Sequence, residues 1–180
     1  KSSPGFLVNR ILMPYCLEAV EFNNEGVKPE IIDQAAVDIG MPMGPITLAD
    51  TVGLDICLHV AENLSQHLGI TLPHLLQHKV GKGDLGRKTG KGFYSWKNSK
   101  PVKKAARVRE PDNQIEQRLI LRYLNECVRC LDDGVVAEPD LLDAALIFGT
   151  GFAPFRGGPI NYIQQHGAQD LHRKLLELNN

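Results

Sequence analysis

The feature that most constrains this chain is that it repeats itself. Arg10, Glu18 and Gly26 recur as Arg118, Glu126 and Gly134, each pair 108 residues apart. Asp33 recurs as Asp143, and Pro45 and Gly53 recur as Pro159 and Gly167, so small insertions widen the offset to 114. The strings between these markers agree too: EAVEFNNEGVKPEIIDQA (Glu18 to Ala35) stands against ECVRCLDDGVVAEPDLLDAA (Glu126 to Ala145). One supersecondary unit leaves an apolar face that it cannot bury alone, and a like unit in the same chain can cover it. Two similar units packed face to face are therefore expected in the 180-residue chain.

The units read as helical. Leu7, Ile11, Tyr15, Ala19 and Phe22 recur at helical spacing from Phe6 to Asn24, ahead of Gly26. Pro29 opens a second helix that runs to Ile39, and Gly40 follows as a left-handed cap. The same grammar marks Pro45 to Val52, Leu54 to Leu68 and a shorter helix over Leu72 to Val80. Gly81 to Pro111 breaks the pattern: five glycines, a short extended run Phe93-Tyr94-Ser95-Trp96, then polar residues and Pro101. Helical periodicity resumes at Asn113. The expected division is a first repeat over residues 1–96, a basic linker over 97–112, and a second, degenerate repeat over 113–180.

The formal net charge is −1, so the whole chain gives no reason to expect nucleic acid or an anionic membrane as partner, and no apolar run has the length of a bilayer span. Lys1 is not an initiator Met, and Asn180 falls inside a helical pattern; both ends read as cut points within a longer protein. Cys16, Cys57, Cys127 and Cys130 lie in apolar helical surroundings and read as buried thiols of a reducing compartment. The Cys127-x-x-Cys130 pair has no second ligand pair at zinc spacing, and both residues fall on one apolar stripe. His74 and His78 stand one helical turn apart without the intervening Glu or a third ligand, so no metal site is expected.

Gly81-x-Gly83-x-x-Gly86 spells the dinucleotide fingerprint, but that motif needs a strand before it and a helix after it. Here a helix precedes and a glycine-rich loop follows, so no cofactor is expected there. The same region is basic: eleven of the twenty Lys and Arg residues lie between Lys79 and Arg109, opposed only by Asp84. The cluster suits either a solvated linker or the phosphates of coenzyme A, with Arg87 and Lys88 as candidate contacts.

Four strings carry a family resemblance: SPGFLVNR followed by ILMPYCLEA (Ser3 to Ala19), GMPMGPITLADTVGLD (Gly40 to Asp55), GRKTGKGFYSW (Gly86 to Trp96) and FGTGFAPFRGGP (Phe148 to Pro159). Together they resemble the C-terminal domain of 3-hydroxyacyl-CoA dehydrogenases. The second copy further resembles the α-subunits of multifunctional fatty-acid oxidation complexes. The resemblance implies an all-α fold like the C-terminal domain of 6-phosphogluconate dehydrogenase. Because short dehydrogenases of this family pair through their helical domains, it also implies an internal pseudo-dimer of the two units that leaves the chain monomeric. It also implies NAD held by a Rossmann domain outside this chain, which carries a catalytic His–Glu pair, and an enoyl-CoA hydratase region in the same polypeptide. There His takes the hydroxyl proton while hydride passes to the nicotinamide. A thiolase subunit would be the partner, in the bacterial cytoplasm or, in a eukaryote, the mitochondrion or peroxisome.

On this resemblance Asn9 is the catalytic-site residue, an amide able to donate to the substrate oxygen and accept from the catalytic His. Met43, Gly44 and Pro45 are candidates for the wall of the acyl pocket. In the second copy Gln117 stands where Asn9 stands in the first. The competing expectation is a non-catalytic helical scaffold that orients the other catalytic regions. A helical domain of a 6-phosphogluconate-type oxidoreductase would share the architecture but account less well for the four strings.

Overall fold

The computed structural model describes residues 6–104 and 113–178. Nine α-helices are present among them: α1 (Phe6–Asn24), α2 (Pro29–Ile39), α3 (Pro45–Val52), α4 (Leu54–Leu68), α5 (His74–Gly81), α6 (Asn113–Asp132), α7 (Pro139–Thr150), α8 (Pro159–His166) and α9 (Ala168–Leu178). Each repeat runs long helix, proline-opened helix, short proline-opened helix, amphipathic helix. Proline stands at the start of α2, α3, α7 and α8, where a missing N–H costs nothing. Gly40 and Gly151 end α2 and α7 in the left-handed conformation, with φ of 113° and 71°.

The equivalent helices α1 and α6 make the most extensive contact in the fold, and around them the units exchange neighbours: α2 packs on α6 and α7 touches α1. The contacts obey a pseudo-two-fold axis. Tyr15 meets its own counterpart Tyr123 edge to face, with centroids 6.0 Å apart and planes at 86°, as expected for a residue beside such an axis. Arg10 Nε donates to Glu126 at 2.6 Å, and Arg118 Nε donates to Glu18 at 2.7 Å. The relation extends to Asp133, 2.5 Å from Arg10, and its counterpart Glu25, 3.0 Å from Arg118. Residue i of one unit thus pairs with j of the other, and j with i, the signature of an isologous interface. Tyr15, Tyr123, Phe152, Leu119 and Leu146 are fully buried in one core that spans both units.

Symmetry fails in two places. Pro14 occupies the position of Arg122, so Glu18 receives its second arginine, Arg122, across the seam at 2.8 Å, whereas the second arginine of Glu126 is Arg129 of its own helix, at 3.5 Å. Between the units the chain forms a hairpin, β1 (Ser95–Lys97) antiparallel to β2 (Lys100–Val102), with Trp96 opposite Pro101. The expected extended run Phe93 to Trp96 is thus displaced: Phe93 and Tyr94 are bends, the strand covers Ser95–Lys97, and its partner strand lies in residues read as linker. Asn98 and Ser99 close the hairpin at φ of 49° and 60°, the pair of positive values that a type I′ turn requires. Residues 105–112 of the expected linker lie outside the described residues. The shorter fifth helix begins at His74 instead of Leu72, because Pro73 stands just ahead of its first turn.

Candidate functional site

Two buried aspartates organise the first unit. Asp33, on α2, accepts from the backbone N–H of Ile46 at 2.9 Å, from Thr47 Oγ1 at 2.5 Å and from the Tyr94 hydroxyl at 2.9 Å. It thereby caps α3 from a neighbouring helix, neutralising the orphan N–H groups and positive dipole end. Gly44 exists for this contact: a β-carbon there would overlap the Asp33 carboxylate. The second unit repeats the device. Asp143 accepts from Ile160 N at 2.7 Å and Asn161 N at 3.1 Å, and Gly158 leaves room for it.

Asp50, near the end of α3, is the second anchor. It accepts from the N–H groups of Phe93 and Tyr94 and from Trp96 Nε1, each at 2.9 Å. Gly86 and Gly92 press on it so closely that a β-carbon at either would overlap Asp50 atoms. Burial pushes the Asp50 carboxyl up, against the opposing pull of the Trp96, Tyr94 and Phe93 donors. The fingerprint-like glycines are thus the fit of a loop to an aspartate. Gly86 follows α5 and leads into a short 3-10 turn (Arg87–Thr89), so among the described residues the motif is not flanked by a strand before and an α-helix directly after. NAD does not fit that geometry.

Asn9 is exposed on the first turns of α1. Its neighbour Val8 lies against Gly149 of α7, where a β-carbon would come within 3.0 Å of Val8 Cγ2. Met43 is 40% exposed on the loop between α2 and α3, whereas Gly44 and Pro45 are buried. This loop also meets the second unit, since a β-carbon on Gly151 would reach 2.6 Å from Pro42 Cγ, and one on Gly40 would reach 2.7 Å from Ala153. The start of α1 and the loop 41–45 are therefore brought together along the 148–158 segment of the second unit. Arg87 and Lys88 sit elsewhere, at the far end of α3, roughly 12 Å away along that eight-residue helix.

Much of the basic cluster has partners within the chain. Lys88 Nζ lies 2.6 Å from Asp55, Lys91 3.1 Å from Asp84, and Lys103 3.2 Å from Asp33. Lys79 donates to the Gly92 carbonyl at 2.9 Å and lies over the Phe93 ring. Arg87 is exposed. The clefts of about 770 and 450 Å³ lie away from all six candidate residues; Pro14, Glu18, Arg122 and Arg129 are among those lining the first, Gln117, Arg156 and Tyr162 among those lining the second. His74 and His78 stack with centroids 6.2 Å apart, and all four cysteines are buried free thiols.

Residues 5–96 match the family profile "3-hydroxyacyl-CoA dehydrogenase, C-terminal domain". The chain belongs to this family. Among curated relatives, the fatty acid oxidation complex subunit alpha of Vibrio parahaemolyticus is 41% identical over 98% of the chain. The same subunit of Shewanella baltica is 40% identical over 95%. The chain spans 27% and 26% of those proteins, about a quarter of their length. Among solved structures, 3-hydroxybutyryl-CoA dehydrogenase from Escherichia coli superposes with a TM-score of 0.77, covering 98% of this chain and 56% of that one. At 24% identity that likeness speaks for the shared fold of both units. (S)-3-Hydroxybutyryl-CoA dehydrogenase from Ralstonia eutropha is 42% identical over 54% of this chain and 36% of its own, with a TM-score of 0.52.

Sequence reasoning noted Asp33 as a repeat marker but missed its role as an anchor, and it missed Asp50 altogether. A carboxylate repeated at Asp33 and Asp143 inside apolar helices, each followed by a Gly-Pro that opens a short helix, was the available signal.

Proposed function

We propose that this chain is the substrate-closing helical part of an NAD-dependent L-3-hydroxyacyl-CoA dehydrogenase of fatty-acid β-oxidation, converting 3-hydroxyacyl-CoA and NAD to 3-oxoacyl-CoA and NADH. The observation that carries this reading is Asn9, which lies within the matched domain and is exposed on a rigid helix. Its helix is locked against the partner helix by the buried Arg10–Glu126 pair one residue along, with Arg10 and Glu126 only 6% and 1% exposed. A primary amide held this way can donate to a substrate oxygen and accept from an imidazole, orienting both. The loop Met41 to Pro45 would border the acyl chain, with Met43 the side chain that projects. Arg87 is the cation best placed for a coenzyme A phosphate, because Lys88 is engaged by Asp55.

Hydride transfer belongs to a part of the protein outside these residues, and so does the proton-accepting His–Glu pair. The curated relatives are about four times longer and are named as subunits of a complex. That supports an upstream Rossmann region and an enoyl-CoA hydratase region in the same polypeptide, and a thiolase as partner subunit. A bacterial cytoplasmic setting fits those relatives, and no helix among the described residues is long and apolar enough to cross a membrane.

The test is NADH formation from a 3-hydroxyacyl-CoA by the intact parent protein. Asn9→Ala should lower turnover by about a hundredfold, or roughly 2.7 kcal/mol of transition-state stabilisation, with an unchanged melt. Unchanged turnover would leave the domain a scaffold.

A further inference from the structure

The second unit has lost the residue that makes the first a site, yet it keeps a loop that reaches into the first. Gln117 replaces Asn9, and Gln164 stands at the position of Asp50, so no second hairpin is anchored. Nevertheless the 148–158 segment runs along both candidate substrate elements of the first unit. Gly149 abuts Val8 beside Asn9, and Gly151 abuts Pro42 beside Met43. Each approach depends on a missing side chain. The same segment exposes two large aromatics, Phe148 at 89% and Phe155 at 76%. Both exceed the exposure of any other large hydrophobic residue among the described residues. Phe148 directly precedes Gly149, and Asn9 directly follows Val8, so each of these exposed residues is one position along the chain from the contact between α7 and α1. With Met43, 40% exposed and one residue from the Pro42 contact, the exposed residues next to this seam include one amide and two large apolar side chains. That is the composition of a site for a chain with one oxygenated carbon and an alkyl tail.

We propose that the second unit supplies Phe148 to the acyl-binding wall of the first unit's site, and that Phe148 sets tolerance for long acyl chains. The inference rests on the assignment of Asn9 to the active site. The aromatic ring would cover methylenes beyond the reacting carbon, so its contribution grows with chain length and vanishes for the shortest substrates. This gives the degenerate repeat a role in specificity that packing alone does not require, since an aromatic ring this exposed contributes little to the core.

The experiment measures kcat and KM of the intact parent protein for 3-hydroxybutyryl-CoA and 3-hydroxypalmitoyl-CoA, comparing wild type, Phe148→Ala, Phe148→Leu and Asn9→Ala. Phe148→Ala should raise KM for the palmitoyl substrate about tenfold while leaving the butyryl substrate within about twofold. Phe148→Leu should recover most of the loss. Equal effects on both substrates, as a ring that docks another protein region would give, would overturn the proposal; so would no effect on either. If Asn9→Ala is also silent for both substrates, the failure lies in the assignment of the site. If Asn9→Ala is crippling and Phe148→Ala is not chain-length dependent, only the role of Phe148 falls.

Discussion

Removing the Glu126 carboxylate should cost more than removing its symmetry mate Glu18. Glu126 is 1% exposed and receives Arg10 Nε at 2.6 Å, with Arg10 itself 6% exposed. Deleting one member of a buried pair leaves the other charge without compensation, a loss of about 3–5 kcal/mol. The exposed Asp133 carboxylate, 2.5 Å from Arg10 Nη2, keeps Glu126→Ala near the lower figure. At roughly 2–4 °C per kcal/mol for a chain of this size, Tm should fall by about 10 °C. Glu18→Ala leaves Arg118 still paired with Glu25, and the Arg118 and Arg122 side chains are 26% and 29% exposed and can turn to water. About 1–2 kcal/mol is expected there. Differential scanning calorimetry of the 180-residue chain reads both. The double variant Arg10→Met, Glu126→Leu should recover most of the Glu126→Ala loss, because no charge is left buried. Equal costs for Glu126→Ala and Glu18→Ala, or a double variant no better than the single, would refute the reasoning.

Other outcomes follow from the same contacts. Gly44→Ala should destabilise by about 2 kcal/mol or more, because its methyl group overlaps the buried Asp33 carboxylate; an unchanged melt would return Gly44 to a purely substrate-facing role. Asp50→Ala leaves Phe93 N, Tyr94 N and Trp96 Nε1 without their acceptor, and each donor left unsatisfied is worth about 1–3 kcal/mol. The hairpin should therefore open locally, and the red-shifted fluorescence of Trp96, the single tryptophan, should appear below the global melt. Emission that tracks the global transition would contradict that anchor. The isolated chain should be monomeric at low micromolar concentration by light scattering, since the second unit already covers the face of the first; a stable dimer would argue against an internal pseudo-dimer.

Much of the fold was legible because repeats are read without any energy function. Arg10, Glu18 and Gly26 recurring at one offset in Arg118, Glu126 and Gly134 announces two like units, and proline and glycine punctuation locates the helices. Which helices cross between units was not legible. The placement of α2 on α6 depends on three-dimensional packing that leaves no periodic trace. The glycines of the 81–92 loop were read by their spacing, whereas the structure explains Gly86 and Gly92 by an aspartate more than thirty residues upstream. Such a long-range fit leaves no local pattern. The second hairpin strand was hidden by Pro101, which sits at an edge where it needs to donate nothing. For the site, Asn9 came from the family resemblance alone, because an exposed amide near a helix start has no distinguishing physics in sequence. What the structure adds is its setting: Val8, the residue before it, meets Gly149 of the second unit.

The central claim is that one unit serves the chemistry and its copy supports it. The most direct test compares Asn9→Ala with Gln117→Ala, its counterpart in the second unit, in the intact parent protein by NADH formation from a 3-hydroxyacyl-CoA. The account predicts a loss of about a hundredfold for Asn9→Ala and a change within about twofold for Gln117→Ala, with both melts preserved. Equal losses at the two positions, or none at Asn9, would contradict it.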